Sequence, residues 1–514
     1  MVTSFGPRRL IGRPLSSSAT GASPGTPEKQ GNDQLMAMDV ASISTPPGAG
    51  TSDRPQRVRR FWGRVRMAVT RTRLEYVFLV IALAWGVAQV FIVPPLQVPD
   101  EGDHWFRAWA LTDGQFTADR QGMITLPGVF ARTVDLYTRL VSDSRGLPVS
   151  LEGQAGFSGY VDLFNSPGPA GIVSVASRVS AYGPMGYLPQ AVGIGIGRLA
   201  GAPPLTCFYL ARLGDLFAAV ALLFFAIRLA PFGKQLFTLL ALLPMTMFEL
   251  ASVSCDALTI SGAMFFTSLL LWASARVRLR GIDVVVMLSA AAVLLNVKPG
   301  YWALVLLVLL IRPAQLGGRT RYVAFVVASA LVVTGVFLAV FGLTTTGARV
   351  EAAGGPQAQL LFIAHQPLDF LRILWSNLVN ESFRWTLESI GVLGWLAIPL
   401  PPAFYLFVVV VGLVFFLRMR EEVSLQLWRR ALLAAVGVAV FLTLAVALYA
   451  FLEPTGSERV FFQGRYLAPV WLLLLLSIYG VRFAQRQRGV LVIVGALLVM
   501  MVQNMHTLIS TYYP

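Results

Sequence analysis

From Leu74 to the end of the chain, apolar residues recur in long runs separated by short polar turns. The runs lie near 74–93, 205–229, 235–252, 256–275, 282–297, 300–312, 322–342, 402–417, 431–452, 467–483 and 489–510. About 20 apolar residues in helical conformation cross a bilayer, so each run reads as a spanning helix. The runs at 282–297 and 300–312 are short and meet at Pro299-Gly300, which predicts a tilt, a break or a locally thinned bilayer. Two further apolar stretches, Pro184–Gly201 and Gly391–Pro402, are interrupted by Gly and Pro. They read as interfacial or re-entrant pieces, which are tolerated where protein or a cavity surrounds them. The pattern predicts an all-α, polytopic transmembrane bundle of about 11–13 spans. A membrane domain over 74–510 contains a long first outer loop, 94–204. Residues 1–53, rich in Ser, Pro, Gly and Thr, read as a disordered cytoplasmic tail.

Composition agrees with a membrane. The 514 residues are 56% hydrophobic and 13% charged, with a mean hydropathy of +0.67. Soluble proteins carry roughly 25% charged residues, so a soluble enzyme, a coiled coil and a disordered scaffold are excluded. Net charge is +15. In a soluble protein that excess suggests nucleic acid; here its distribution follows the predicted topology, so no nucleic-acid partner is expected. The juxtamembrane stretch 54–73 holds Arg54, Arg57, Arg59, Arg60, Arg64, Arg66, Arg71 and Arg73 without an acid. It fits a topological stop that keeps the N-terminus cytoplasmic, and it also fits binding to anionic lipid. Arg228 with Lys234, Arg276 to Arg280, Arg312 to Arg321, Arg418 to Arg430 and Arg482 to Arg488 fall in turns on that same side. The first outer loop carries nine acids against seven arginines and is nearly neutral. This distribution predicts a chain that crosses the membrane repeatedly with its N-terminus on the cytoplasmic side. Cys207 and Cys255 offer neither zinc spacing nor a disulfide framework.

Candidate chemistry concentrates on the outer side. A helix starting near Pro99 sets Asp100 and His104 at i,i+4, Glu101 and His104 at i,i+3, and Arg107 one turn further. That face suits a divalent cation or a general base; the same acids also fit a capped first helical turn. Near the last outer loop, Gln463, Arg465 and Tyr466 surround Gly464. Planar donors beside a glycine suit a phosphate or sugar hydroxyls, and equally an interfacial Arg/Tyr anchor. Glu249 and Asp256 flank a predicted outer hairpin, where Asp256 is placed to cap the next helix. Lys298 stands against the positive-inside bias and is placed to neutralise a lipid phosphate. Arg212 and Asp215, at i,i+3 within one helix, read as a structural pair.

Taken in order, several motifs carry a resemblance: Pro99-Asp-Glu-x-x-His104-x-x-Arg107, Tyr182-x-Pro-x-x-Tyr187-x-Pro-Gln190, Ser252-x-Ser-x-Asp256, Lys298-Pro-Gly-Tyr301, Gly391-x-Leu-Gly-Trp395 and Gln463-Gly-Arg-Tyr466. Over roughly 74–510 the chain resembles the DUF2142 family of uncharacterised bacterial polytopic membrane proteins. That family is similar to the GT-C glycosyltransferases, which take a sugar from a polyprenyl-phosphate carrier on the outer membrane face. The resemblance implies a polyprenyl-phosphate-linked sugar as donor, a cell-envelope acceptor, and Asp100 or Glu101 as acceptor base or metal ligand. In that reading His104 and Arg107 support the site. Arg465 and Lys298 hold the donor phosphate, with Asp256, Gln463 and Tyr466 at the substrate. A divalent metal on Asp100, Glu101 and His104 is the cofactor option; no other cofactor is expected. Two rival readings stand beside it: a transporter or flippase of a lipid-linked envelope precursor, and a non-catalytic assembly protein.

Overall fold

A computed structural model of the chain describes residues 73–119, 121–142, 156–166, 168, 170–177, 179, 182–344, 355–417, 425–454, 456–479 and 489–514. The tail 1–53, the arginines of 54–72, and Arg120, Asp143, Arg145, Glu152, Arg178, Arg418, Arg420, Arg482, Arg486 and Arg488 lie outside the described residues.

The first apolar run forms α1 (Leu74–Ile92). The segment after it is ordered into α2 (Glu101–Thr112), β1 (Met123–Pro127), α3 (Ala131–Ser142), α4 (Gly156–Asn165), β2 (Ile172–Ala176) and α5 (Leu188–Leu199). The bundle continues with α6 (Pro204–Leu229), α7 (Lys234–Ala241), α8 (Pro244–Leu250), α9 (Cys255–Ala275) and α10 (Gly281–Val297). A long 3₁₀ helix, Pro299–Leu310, leads to α11 (Arg319–Thr344). Then come α12 (Gly355–His365), α13 (Pro367–Gly391), β3 (Val392–Leu393), β4 (Ile398–Pro399), α14 (Pro402–Leu417), α15 (Leu427–Leu452), α16 (Ala468–Ile478) and α17 (Gly489–Tyr512). Among the described residues, sheet is confined to two antiparallel pairs, β1 with β2 (Met123 opposite Ala176) and β3 with β4. The architecture is the expected all-α polytopic bundle.

Among the described residues, six helices are long and apolar enough to cross a membrane: α1, α6, α9, residues Arg319–Val340 of α11, α15 and Val494–Tyr512 of α17. Four shorter apolar segments accompany them, Gly281–Val297, Pro299–Leu310, Pro402–Val414 and Gly464–Ile478. The run 235–252, expected as one span, is two helices, because Pro244 has no amide hydrogen to continue α7. At 12 residues α5 is about 18 Å long and falls short of the hydrocarbon core, in keeping with a piece that does not cross. Within the stretch 391–402, expected as an interfacial or re-entrant piece, β3 and β4 pair in the connection between α13 and α14. Hydropathy passed over α12 and α13. The latter carries Asp369, Arg372, Glu381, Arg384 and Glu388, too many charges for a spanning run.

Packing explains which end of the bundle matters. The central helix is α9, with 83% of its most apolar window buried, whereas α11 is peripheral at 17%. Trp85 Nε1 and Gln89 Nε2 of α1 both donate to Asn504 Oδ1 of α17, at 3.1 and 2.8 Å. The 94–204 segment has its own aromatic core, in which Trp105 meets Phe208 of α6 at 5.1 Å between ring centroids and Trp109 meets Phe130 at 4.7 Å. Each such pair adds about 0.5–1.5 kcal/mol beyond area burial, so this segment is fastened to the bundle end. The C-terminal end of α1, the start of α6, the α8–α9 hairpin, the α10 exit and the start of α16 all converge beneath it.

Candidate functional site

Arginines fix this end of the molecule. Arg212, buried in α6, has all five N–H donors engaged. Nε and Nη2 reach Glu101 Oε1 and Oε2 at 2.7 and 2.8 Å, Nη1 reaches Val90 O and Val93 O at 2.9 and 2.6 Å, and Nη2 also reaches Pro94 O at 3.1 Å. Its guanidinium therefore closes the C-terminal end of α1, where helical carbonyls lack partners. Glu101 is fully buried and also accepts Leu96 N at 3.0 Å and Val253 N at 3.1 Å. The expected Arg212–Asp215 pair is thus corrected: Arg212 pairs with Glu101, and Asp215 accepts Ser254 N at 3.1 Å. A bidentate partner outcompetes a neighbour on the same helix because both oxygens match the planar fork.

The second centre is Arg465, whose side chain is 1% exposed. It pairs with Asp100 Oδ2 through Nη2, with Glu249 Oε1 at 3.3 Å through Nη1, and with Asp256 Oδ2 at 3.4 Å through Nε. Tyr466 OH and Pro99 O complete its shell at 3.2 and 3.3 Å. Lys298 Nζ lies 2.5 Å from Asp256 Oδ1 and 4.2 Å from the centre of the Tyr466 ring, with Tyr182 on another side at 5.2 Å. Asp256 does not cap α9; the cap is Ser254 Oγ, which accepts Asp256 N at 3.1 Å and leaves the carboxylate to bridge the two cations. Three carboxylates face two cations in a largely buried site.

Spacing predicted one shared face for Asp100, Glu101, His104 and Arg107, and the structure divides them. Asp100 turns to Arg465 and Glu101 to Arg212. Arg107 donates to Gln115 O at 2.7 Å and to Phe116 O, which ties down the chain leaving α2. His104 Nδ1 meets Tyr187 OH at 2.9 Å. A divalent metal does not fit Asp100, Glu101 and His104: both Glu101 oxygens are taken, and among the described residues no set of three His, Cys, Asp or Glu side chains is arranged to hold one. Burial pushes His104 down to about 4, against the pull of Asp256 and Asp100, so the imidazole is neutral. Above pH 6.5 it is neutral in folded and unfolded chain alike. As pH falls toward 4 only the unfolded chain takes the proton, so stability is lost across that window, by about 3 kcal/mol at its acid end. Thermal unfolding followed from pH 7 to 4 checks this; His104→Gln is expected to flatten that part of the profile.

Backbone geometry marks the same place. Among the described residues, the non-glycine positions with left-handed φ are Leu96, Asp100 and Leu396, at 65°, 62° and 58°. Asp100 carries the site, and Leu96 and Leu396 adjoin it, with Trp395 Nε1 donating to Leu96 O at 3.1 Å. Such strain persists where the surroundings enforce it, and it concentrates at functional sites. Gly464 is required for close approach: a Cβ there would overlap Trp385 O of α13 and press on Glu388. Gly464→Ala is expected to push Arg465 off its partners and to cost about 1–3 kcal/mol, read as a lower thermal midpoint. Gln463 Oε1 and Glu249 Oε2 are buried here without a hydrogen-bond partner, which leaves acceptors facing the cluster.

Sequence reasoning did not assign Tyr182, Tyr187 and Glu249 to the site. The two tyrosines reach it from the segment before α5, where Asn296 Oδ1 accepts Met185 N at 3.0 Å and Asn296 O accepts Gly183 N at 2.9 Å. The pairing of Tyr182-x-Pro-x-x-Tyr187 with Asn296-Val-Lys298 was the signal available. A cavity of about 380 Å³ lies between α13, α15 and α16, lined by Leu374, Trp375, Leu378, Phe441, Leu467 and Leu474. Leu467, two residues after Arg465 in the chain, belongs to this apolar wall.

No curated protein and no solved structure matches the chain. The family described as predicted membrane protein (DUF2142) matches residues 83–474, a stretch that holds every member of the cluster. The chain is a multi-pass membrane protein and belongs to the DUF2142 family.

Proposed function

We propose that the chain is a glycosyltransferase of the GT-C kind, which moves a sugar from a polyprenyl-phosphate donor to a cell-envelope acceptor. It works on the outer face of a bacterial cytoplasmic membrane, with its N-terminus in the cytoplasm. The observation that carries this reading is the meeting of Asp100 with Arg465 across 365 residues of chain, in a cluster that also joins Lys298 to Asp256. Displacement at an anomeric carbon needs a base on the acceptor side and positive charge at the departing phosphate. Asp100 is the only acid of the cluster with a substantially open side chain, 41% exposed. It takes the proton of the acceptor hydroxyl as that oxygen attacks the anomeric carbon. The bond from that carbon to the phosphate oxygen breaks, and the charge left on the polyprenyl phosphate rests on Arg465 and Lys298. Gln463 and Tyr466 contact sugar or head group, Asp256 holds the two cations in place, and the apolar cavity takes the first part of the lipid chain. Glu101, His104 and Arg107 are positioning residues in this account.

Transport of a lipid-linked precursor is the second reading. It is favoured by the broken α7–α8 pair, whose second helix carries Glu249 in its last turn, and by the 3₁₀ helix that begins after Lys298. Lipid extracts from cells lacking the chain test the two. Transfer predicts that a polyprenyl-phosphate-linked sugar accumulates on the outer leaflet; accumulation on the inner leaflet favours transport, and an unchanged lipid pool overturns both.

A further inference from the structure

The cluster as it stands is occupied. Arg465, the group best suited to a phosphate, already holds carboxylates on three sides, and Lys298 is paired with Asp256. With three carboxylates for two cations, an arriving anion meets no unpaired positive charge, and one acid must give way. Glu249 and Asp256 are buried on helices that form the bundle itself, at 0% and 3% exposure, and cannot leave without opening the core. Asp100 differs in each respect. It sits on a turn between Pro99 and α2, its side chain is 41% exposed, and its backbone is held in the left-handed region. It occupies the N-cap position of α2, yet its side chain makes no capping hydrogen bond, because it reaches to Arg465 instead.

We propose that Asp100 is a latch: it occupies Arg465 in the resting chain, and the donor's phosphate displaces it and thereby frees it to act as base. This rests on the reading of the site as one for a lipid phosphate, and it adds an order of events. While Arg465 holds Asp100 Oδ2, that oxygen is occupied and is not placed to take a proton from an acceptor. A phosphate offers Arg465 several oxygens in the bidentate geometry that a single Asp100 oxygen lacks. Once released, the carboxylate stays at the start of α2, where the helix dipole favours a negative charge. The acceptor is then deprotonated only when the donor is already seated, which guards the donor against hydrolysis in its absence.

The test is binding by the purified full chain in nanodiscs, with farnesyl phosphate as the probe. Removing a residue that helps to bind a ligand weakens binding, whereas removing a competitor strengthens it. Asp100→Ala is therefore expected to bind farnesyl phosphate on the order of tenfold more tightly than the wild type. Asp100→Asn, which keeps the shape of the side chain, is expected to shift in the same direction, and Arg465→Gln is expected to lose binding. Equal or weaker binding by both Asp100 variants overturns the latch and leaves the phosphate site standing. Absence of binding by wild type and variants alike overturns the phosphate site as well. Inorganic phosphate is expected to bind every form at least tenfold more weakly than the lipid; equal binding overturns the part played by the chain.

Discussion

Asp100→Asn is expected to lower the rate of sugar transfer by about 10²–10⁴-fold while leaving the protein folded and correctly inserted. The substitution keeps the shape of the side chain and removes the one group placed to take the acceptor's proton. Because Asp100 is exposed and lies on a turn, its removal opens no cavity and leaves Glu249 and Asp256 to hold Arg465. The kinetic signature is a split: kcat falls, and the KM for the lipid donor falls with it, since the competing carboxylate has gone. A residue with a purely structural role would instead lower the amount of folded protein and leave kcat per folded molecule unchanged. Initial rates at saturating donor, normalised to folded protein by size-exclusion chromatography, separate these outcomes.

Glu101→Ala is expected to have the opposite character, destabilising the fold by about 3–5 kcal/mol. Glu101 receives two donors of Arg212 and the backbone amides of Leu96 and Val253, all in a fully buried place. Its removal leaves the Arg212 charge without a counterion beside the end of α1. Arg212→Ala strands the Glu101 carboxylate in the same way, while replacing both residues by Met is expected to cost less than either single change. Thermal unfolding of the solubilised protein reads this directly. Wild-type stability for Glu101→Ala would remove the basis for separating the two adjacent acids into a reacting one and a structural one.

That separation shows how far the sequence could be read. Long apolar runs translate into helices because each must bury its own backbone polar groups, so α1, α6, α9, α10, α14 and α15 were legible from hydropathy. The break before Pro244 and the amphipathic α13 were not, since one is hidden within an apolar run and the other carries a charged face. At the site, residue types were legible and their pairings were not. Asp100 and Glu101 are adjacent, yet a left-handed backbone at Asp100 sends their side chains to different arginines, 253 positions apart in the chain. Local spacing placed both acids on one face with His104, because helical geometry was assumed from Asp100 onward. Likewise Arg212 and Asp215 looked like a pair only while tertiary partners were unseen. The Lys298–Asp256 and Arg465–Asp100 contacts join segments far apart in sequence, which no periodicity reveals.

The account stands on Asp100 and Arg465 acting on opposite sides of one transfer. Its most direct test places the purified chain in vesicles with a radiolabelled polyprenyl-phosphate-linked hexose and a cell-envelope acceptor fraction, and measures release of free polyprenyl phosphate. The wild type is predicted to release it in an acceptor-dependent manner, with release per folded molecule lost in Asp100→Asn and in Arg465→Gln. Equal release by wild type and both variants would contradict the assignment.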